Sequence, residues 1–210
     1  MALGFTAMVA TAVVGILAGS RFLPPWTAPL RGPVLALSEL GLLLGPWAFV
    51  LRERRASWFD LGLRPFNPLI GCLAAPAMLI LVLVFSVAWG LMLEWLGLHG
   101  QPSVRDLFGL GWQGFVLAIV GVVVVAPLAE EVLYRGLLFP ALRQRWGLWF
   151  GAGVSGLLFA AFHLSPASLP SLFFTGLALS LLYHYCDSLW PGLALHVTVN
   201  LMAVLAAYLL

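Results

Sequence analysis

A series of long apolar segments is the feature that most constrains the fold of this chain. A helical span of a bilayer needs about 20 apolar residues, and lipid tolerates no unpaired backbone polar groups. The alternating ten-residue pattern of a membrane-spanning barrel is absent. The sequence therefore predicts an all-α, polytopic transmembrane helical bundle of about seven spans, within a range of six to eight. The segments lie at about 3–20, 33–51, 69–98, 115–138, 149–164, 169–185 and 190–210.

The composition is that of an integral membrane protein. Hydrophobic residues make up 62% of the 210 residues and charged residues 9%, whereas an ordinary soluble domain has about 25% charged residues. The net charge of +2 is small and dispersed, so we expect no nucleic acid as a partner. The two cysteines, Cys72 and Cys186, give neither a disulfide framework nor a CxxC metal site.

The chain is interpreted as a single membrane domain over residues 1–210, because no internal repeat or low-complexity segment occurs. No Arg or Lys precedes the first apolar segment, so we expect a retained first span rather than a cleaved signal peptide. Arginines in the connections predict a cytoplasmic N-terminus. The use of Arg without Lys favours a bacterial source, and we expect a multi-pass protein of the cell membrane. Six arginines lie on the cytoplasmic side and three on the other: Arg52, Arg54, Arg55, Arg64, Arg143 and Arg145 against Arg21, Arg31 and Arg105.

Individual residues in the first half of the chain support more specific structural predictions. The third apolar segment is long enough to tilt or to be broken near Pro76. The connection at 97–112 is predicted to hold a short interfacial helix. Glu39 lies within the second segment, where it either lines a cavity or pairs with Arg31. A small-xxx-small pattern in the same segment indicates helix packing and consists of Gly41 and Gly45.

Polar side chains within the later apolar segments occur in pairs spaced four residues apart. An ionisable side chain costs about 2.5–3.5 kcal/mol on insertion scales, so such residues are candidates for function. Residues four apart share a helix face, which predicts that Glu131 and Arg135 neutralise each other. The same spacing occurs in two further segments, for Phe159 with His163 and for His196 with Asn200.

Glu130 lies about 100° around a helix from Glu131 and is not part of that predicted pair. A buried carboxylate of this kind is suited to act as a general base on water. The imidazole and amide groups of His163, His196 and Asn200 are suited to position the water or to receive the negative oxygen of a tetrahedral intermediate. Two histidines and one carboxylate are also a ligand set that zinc accepts.

The three pairs, taken in order on separate segments, resemble the CPBP family. This family comprises CAAX prenyl proteases and Abi-type proteins that process bacteriocins or confer immunity to them. The resemblance covers about residues 115–205, which we interpret as the catalytic core, and LGLRP at 61–65 resembles a segment often found before that core. The motifs are EExxxR (Glu130, Glu131, Arg135), FxxxH (Phe159, His163) and HxxxN (His196, Asn200).

The resemblance implies intramembrane proteolysis by an activated water. It gives Glu130 the role of general base and His163 that of its partner in holding the water. It gives His196 and Asn200 the binding of the oxyanion. It leaves the cofactor open between none and a divalent metal such as zinc, because HExxH is absent. The supporting residues are Glu131, Arg135 and Phe159, and the ligands of a metal would be Glu130, His163 and His196.

The sequence leaves three classes of function open. The favoured one is an intramembrane endopeptidase that hydrolyses a peptide bond in a membrane-embedded or lipidated peptide or protein, with the bilayer as its other partner. The second is a non-catalytic membrane scaffold or bacteriocin-immunity protein, although such a scaffold should have lost at least one motif residue. The third is a small ion-coupled transporter, which would usually show repeat-related halves. The completeness of the three motifs favours the endopeptidase.

Overall fold

Helices account for nearly all of the backbone in the computed structural model. It describes residues 6–11, 13–14, 28–53, 55–98 and 103–210, and these residues contain no strand. Most of the predicted first span lies outside the described residues. Two of the arginines used for orientation, Arg21 and Arg54, lie outside them as well.

Seven helices are labelled here in chain order. The first, α1, spans Ala28–Leu42 and continues as Leu44–Pro46 and a π-helical stretch, Trp47–Glu53. The fourth, α4, spans Gly111–Trp146 and contains two π-helical stretches, Ile119–Val125 and Val132–Leu138. The others are α2 (Pro68–Trp95), α3 (Val104–Phe108), α5 (Leu148–Phe162), α6 (Leu169–Cys186) and α7 (Leu189–Leu209).

Five of the described helices are long and apolar enough to cross a membrane. They are α1, α2, α4, α6 and α7, whereas α5 has 15 residues and is shorter than a full span. The predicted class, a polytopic helical membrane protein, is therefore confirmed. The predicted span at 149–164 is the shorter helix α5.

Local sequence signals explain where the helices begin. The Asn67 side chain accepts a hydrogen bond from the Leu69 N–H (3.0 Å), and Pro68 occupies the first turn of α2, where no N–H is needed. The helix then runs unbroken through Pro76. The predicted short helix after residue 97 is α3, which begins with a capping box formed by Ser103 and Asp106.

The described chain packs as two compact units. The first comprises Met1–Trp58, Pro102–Leu133 and Val197–Leu210. In it α1 packs against α3 and against the part of α4 that ends at Glu131. The predicted packing role of two glycines in α1 is supported, because Gly41 faces Thr11 and Gly45 faces Met8 with no room for a Cβ. A hydrophobic core joins α3, α4 and α7 through Phe108, Ala118, Val123 and Val204.

The second unit comprises Phe59–Gln101 and Tyr134–His196. In it α5 packs against the end of α4 and against α6, which also contacts α2. The LGLRP segment docks on the turn between α6 and α7. Leu61 is buried, the Leu189 N–H donates to the Gly62 carbonyl (2.8 Å), and Arg64 donates to the carboxylate of Asp187. These contacts fix LGLRP to the start of α7, and its resemblance to a segment before a catalytic core stays a prediction.

Gly62→Ala should destabilise the protein. Gly62 has φ of +98°, and a Cβ there would lie 2.7 Å from Cε2 of Tyr183. We expect the free energy of unfolding to fall by about 1–3 kcal/mol. The control is Gly90→Ala, because Gly90 lies inside α2 with no atom near its Cβ position. Thermal unfolding in detergent, followed by tryptophan fluorescence, measures both, and equal melting temperatures for the two variants would contradict the docking of LGLRP.

Candidate active site

The ring of Phe159 is the centre of a polar cluster in the second unit. It is 1% exposed. Its centroid lies 4.9 Å from the ring of His163 and 5.6 Å from the ring of His196. Arg135 places its guanidinium carbon 4.7 Å from the same centroid. Three residues predicted for the site therefore contact one aromatic side chain, and the supporting role of Phe159 in catalysis stays a prediction.

Arg135 is held entirely by protein groups. Its side chain has no exposed surface, its Nη2 donates to the Gly176 carbonyl (3.0 Å), and its guanidinium faces the rings of Phe159 and Tyr134. The backbones of α5 and α6 touch next to the Gly176 carbonyl. A Cβ on Gly176 would lie 2.8 Å from Gly156 Cα. Small residues at this crossing thus position a charged one.

The geometry of His163 fixes which ring nitrogen carries the proton. Its Nδ1 lies 2.8 Å from the Phe159 carbonyl oxygen. Because a carbonyl only accepts hydrogen bonds, Nδ1–H must be the donor, and the neutral ring then has its lone pair on Nε2. His163 is half-buried at the end of α5. Its Nε2 is therefore oriented to accept a proton or a hydrogen bond from water.

The two adjacent carboxylates of α4 lie in the first unit. Glu130 and Glu131 are both buried at the end of the stretch Ala126–Glu131. Helix α1 packs against this stretch, and the carboxyl group of Glu39 is close enough to interact electrostatically with that of Glu130. Among the residues that the structure describes, Glu39 Oε2 is buried without a hydrogen-bond partner. The two alternatives for Glu39, lining a cavity or pairing with Arg31, both stay predictions.

Asn200 is anchored within the first unit. Its Nδ2 donates to the Val122 carbonyl, at 2.8 Å. Val122 belongs to the π-helical stretch Ile119–Val125, and π-helical turns frequently occur at functional sites. An amide nitrogen has two hydrogens, so this bond orients the group and leaves a second N–H for another acceptor.

The residues of the three motifs fall into two sets. Those of the first unit are Glu130, Glu131 and Asn200, and those of the second are Arg135, Phe159, His163 and His196. The second set is assembled around one ring. The ion pair of Glu131 with Arg135, and a water shared by Glu130 with the two histidines, stay predictions.

The possible metal ligands Glu130, His163 and His196 are divided between the two units, and a metal held by them stays a prediction. Across the part of the chain that is described, no group of three or more His, Cys, Asp or Glu side chains could hold a metal ion.

Comparison with known proteins bears on the motif-bearing half of the chain. Residues 112–202 match the family model of the type II CAAX prenyl endopeptidase Rce1-like proteins. This segment is similar to Rce1-like proteins. It contains all seven motif residues, and the predicted family resemblance is confirmed over it. The family that the model describes is one of prenyl endopeptidases.

Two bacterial proteins are similar over part of their length. An "Uncharacterized 24.3 kDa protein" of Escherichia coli is 30% identical over 116 residues, which cover 52% of this chain and 54% of that protein. The "Putative membrane peptidase YdiL" of Bacillus subtilis (strain 168) is 25% identical over 93 residues, which cover 44% of this chain and 38% of that protein. The chain thus spans about half or less of the length of these relatives. No solved structure matches.

Phe159→Ala should destabilise the second unit, because it removes the ring against which a buried cation and two imidazoles pack. We expect a loss of about 3–5 kcal/mol in the free energy of unfolding. The control is Phe162→Ala, since Phe162 lies on the same helix but is 54% exposed. Thermal unfolding should shift strongly for Phe159→Ala and little for Phe162→Ala. Equal shifts would contradict the central position of Phe159.

Glu39→Met should stabilise the protein. Methionine has a similar volume and removes a buried oxygen that has no hydrogen-bond partner among the described residues. It also removes the electrostatic interaction with Glu130. We expect a gain of about 1–2 kcal/mol, whereas Glu94→Met, at an exposed position on α2, should change stability by less than about 0.5 kcal/mol. A lower melting temperature for Glu39→Met would show that the carboxyl group stabilises the fold.

Proposed function

We propose that this protein is an intramembrane endopeptidase in which Glu130 activates water to hydrolyse a peptide bond. The observation that carries the proposal is His163, whose Nδ1–H is bound to a carbonyl so that Nε2 can accept from water. It lies against the same ring as His196. The complete motif set within the Rce1-like segment supports the same reaction class.

The proposed reaction uses each side chain for a step that suits its chemistry. Glu130 takes a proton from a water that His163 holds through Nε2, and the resulting hydroxide attacks the carbonyl carbon of the scissile bond. His196 and Asn200 donate to the oxygen that becomes negative. Glu130 then returns the proton to the leaving nitrogen as the C–N bond breaks, which yields a carboxylic acid and an amine.

Glu131 and Arg135 are proposed to support the helix that carries the base. Arg135 is fixed by the Gly176 carbonyl and by aromatic faces, so it presents a positive charge at a defined place on α4. A carboxylate four residues earlier on that helix is its natural partner. This arrangement would hold the neighbouring Glu130 in a constant orientation.

The proposed substrate is a membrane-embedded or lipidated peptide or protein. Five apolar helices and a membrane endopeptidase family support a reaction within the bilayer. From the distribution of arginines, the N-terminus is proposed to be cytoplasmic. A bacterial source is proposed from the Arg-only composition and agrees with the two bacterial relatives.

Glu130→Gln should abolish cleavage while folding and membrane insertion stay intact, because the amide cannot take a proton from water. We expect a loss of at least about 10²-fold in kcat. The purified protein is incubated with a library of membrane-associated peptides, prenylated ones included, and cleavage is followed by mass spectrometry. Glu94→Gln, an exposed change, should cleave as the wild type does.

Two outcomes would contradict the proposal. If Glu130→Gln cleaves at the wild-type rate, Glu130 is not the base. If the folded wild-type protein cleaves no peptide, the result favours the scaffold or transporter function over the endopeptidase. A parallel series with a chelator tests metal dependence, and unchanged cleavage in its presence is the expected result of a reaction that uses side chains alone.

A further inference from the structure

The connection that follows His163 is irregular and is held in part by turn bonds, such as that of the Ser168 N–H to the Ser165 carbonyl (3.1 Å). It runs over residues 163–168, between α5 and α6. Leu164 adopts φ of +52°, a left-handed conformation that costs a non-glycine residue about 1–3 kcal/mol. Within the connection, Ser165 Oγ donates to Ser168 Oγ at 2.9 Å. A strained backbone of this kind keeps its shape only if surrounding groups hold it.

One bond from outside the connection adds to that support. The indole Nε1–H of Trp89, on α2, donates to the carbonyl oxygen of Ala167 at 2.7 Å. Ala167 precedes α6 and lies outside regular structure. A carbonyl in low-dielectric surroundings needs a hydrogen-bond donor, and the indole nitrogen is donor only. The Trp89–Ala167 bond therefore satisfies both groups and fixes the end of the connection.

Neighbouring contacts on α2 hold α6 rather than the connection. The Phe85 ring stacks on Phe174 with centroids 4.4 Å apart, and the hydroxyl groups of Ser86 and Ser171 are 2.8 Å apart. These contacts and the Trp89–Ala167 bond share one face of α2, because residues 85 and 89 are four apart. A substitution of Ser86 thus removes a contact between α2 and α6, and a substitution of Trp89 removes the contact between α2 and the connection.

We propose that Trp89 is a positioning residue for His163. The proposal rests on the proposed function, since His163 is the group that holds the water there. Trp89 touches neither His163 nor substrate in this scheme. It fixes Ala167, and thereby the strained backbone that leaves α5 directly after His163. Loss of its N–H should loosen the connection, misplace the imidazole Nε2 and slow the chemical step while substrate binding stays the same.

The test is Trp89→Phe, which keeps an aromatic ring and removes the donor. We expect kcat to fall about tenfold with KM unchanged. Hydrogen–deuterium exchange, read by mass spectrometry in detergent, should rise in the peptide that covers 163–170. Two controls accompany it. Trp95→Phe changes a residue of the same helix that is 83% exposed, and Ser86→Ala removes the hydroxyl contact between α2 and α6. Both should keep wild-type kcat and wild-type exchange in that peptide.

The outcomes separate this inference from the proposed function. Trp89→Phe with wild-type kcat and unchanged exchange, alongside an inactive Glu130→Gln, overturns the role of Trp89 alone. An equal loss of kcat in Ser86→Ala overturns it too, because anchoring of α2 would then explain both. Full activity of Glu130→Gln overturns the proposed function, and the exchange measurement still decides whether Trp89 orders the connection.

Discussion

A guanidinium group with no access to water is the constraint on which the second unit depends. Arg135 has no exposed surface, so protein groups must replace its hydration. These groups include the Gly176 carbonyl and the faces of two aromatic rings. One of those rings, Phe159, also carries both imidazoles. Burial of the cation and placement of the histidines therefore depend on one side chain, and neither can change without the other.

The helix that bears Glu130 departs from regular α-helical geometry on both sides of it. Helix α4 is π-helical over Ile119–Val125 and again over Val132–Leu138. A π-helical turn bonds i to i+5, so it changes the direction in which later residues point. It also presents carbonyls such as that of Val122 to side chains of other helices. The buried carboxylates Glu130 and Glu131 thus lie between two irregular stretches of the helix.

The sequence predicted what depends on local signals. Apolar length located the spans, the connection at 97–112 was predicted to hold a short helix, and spacing selected the motif residues. It missed what depends on contacts between distant segments. The π-helical stretches carry no periodic signature, the closeness of Glu39 to Glu130 follows from the packing of α1 on α4, and the docking of LGLRP requires the turn at Asp187. The one sequence signal that associated Glu39 with Glu130 and Glu131 was its position within an apolar segment.

The shortness of α5 is what prepares His163. A helix of 15 residues ends before a full span does, and its last carbonyls have no partner within the helix. The final turn tightens, so that the His163 N–H donates to Ala160 O at 3.2 Å, and the Phe159 carbonyl accepts the Nδ1–H of the His163 side chain. A longer α5 would use that carbonyl for the backbone ladder. The end of the helix therefore selects the tautomer, and the Trp89–Ala167 bond holds the chain that leaves it.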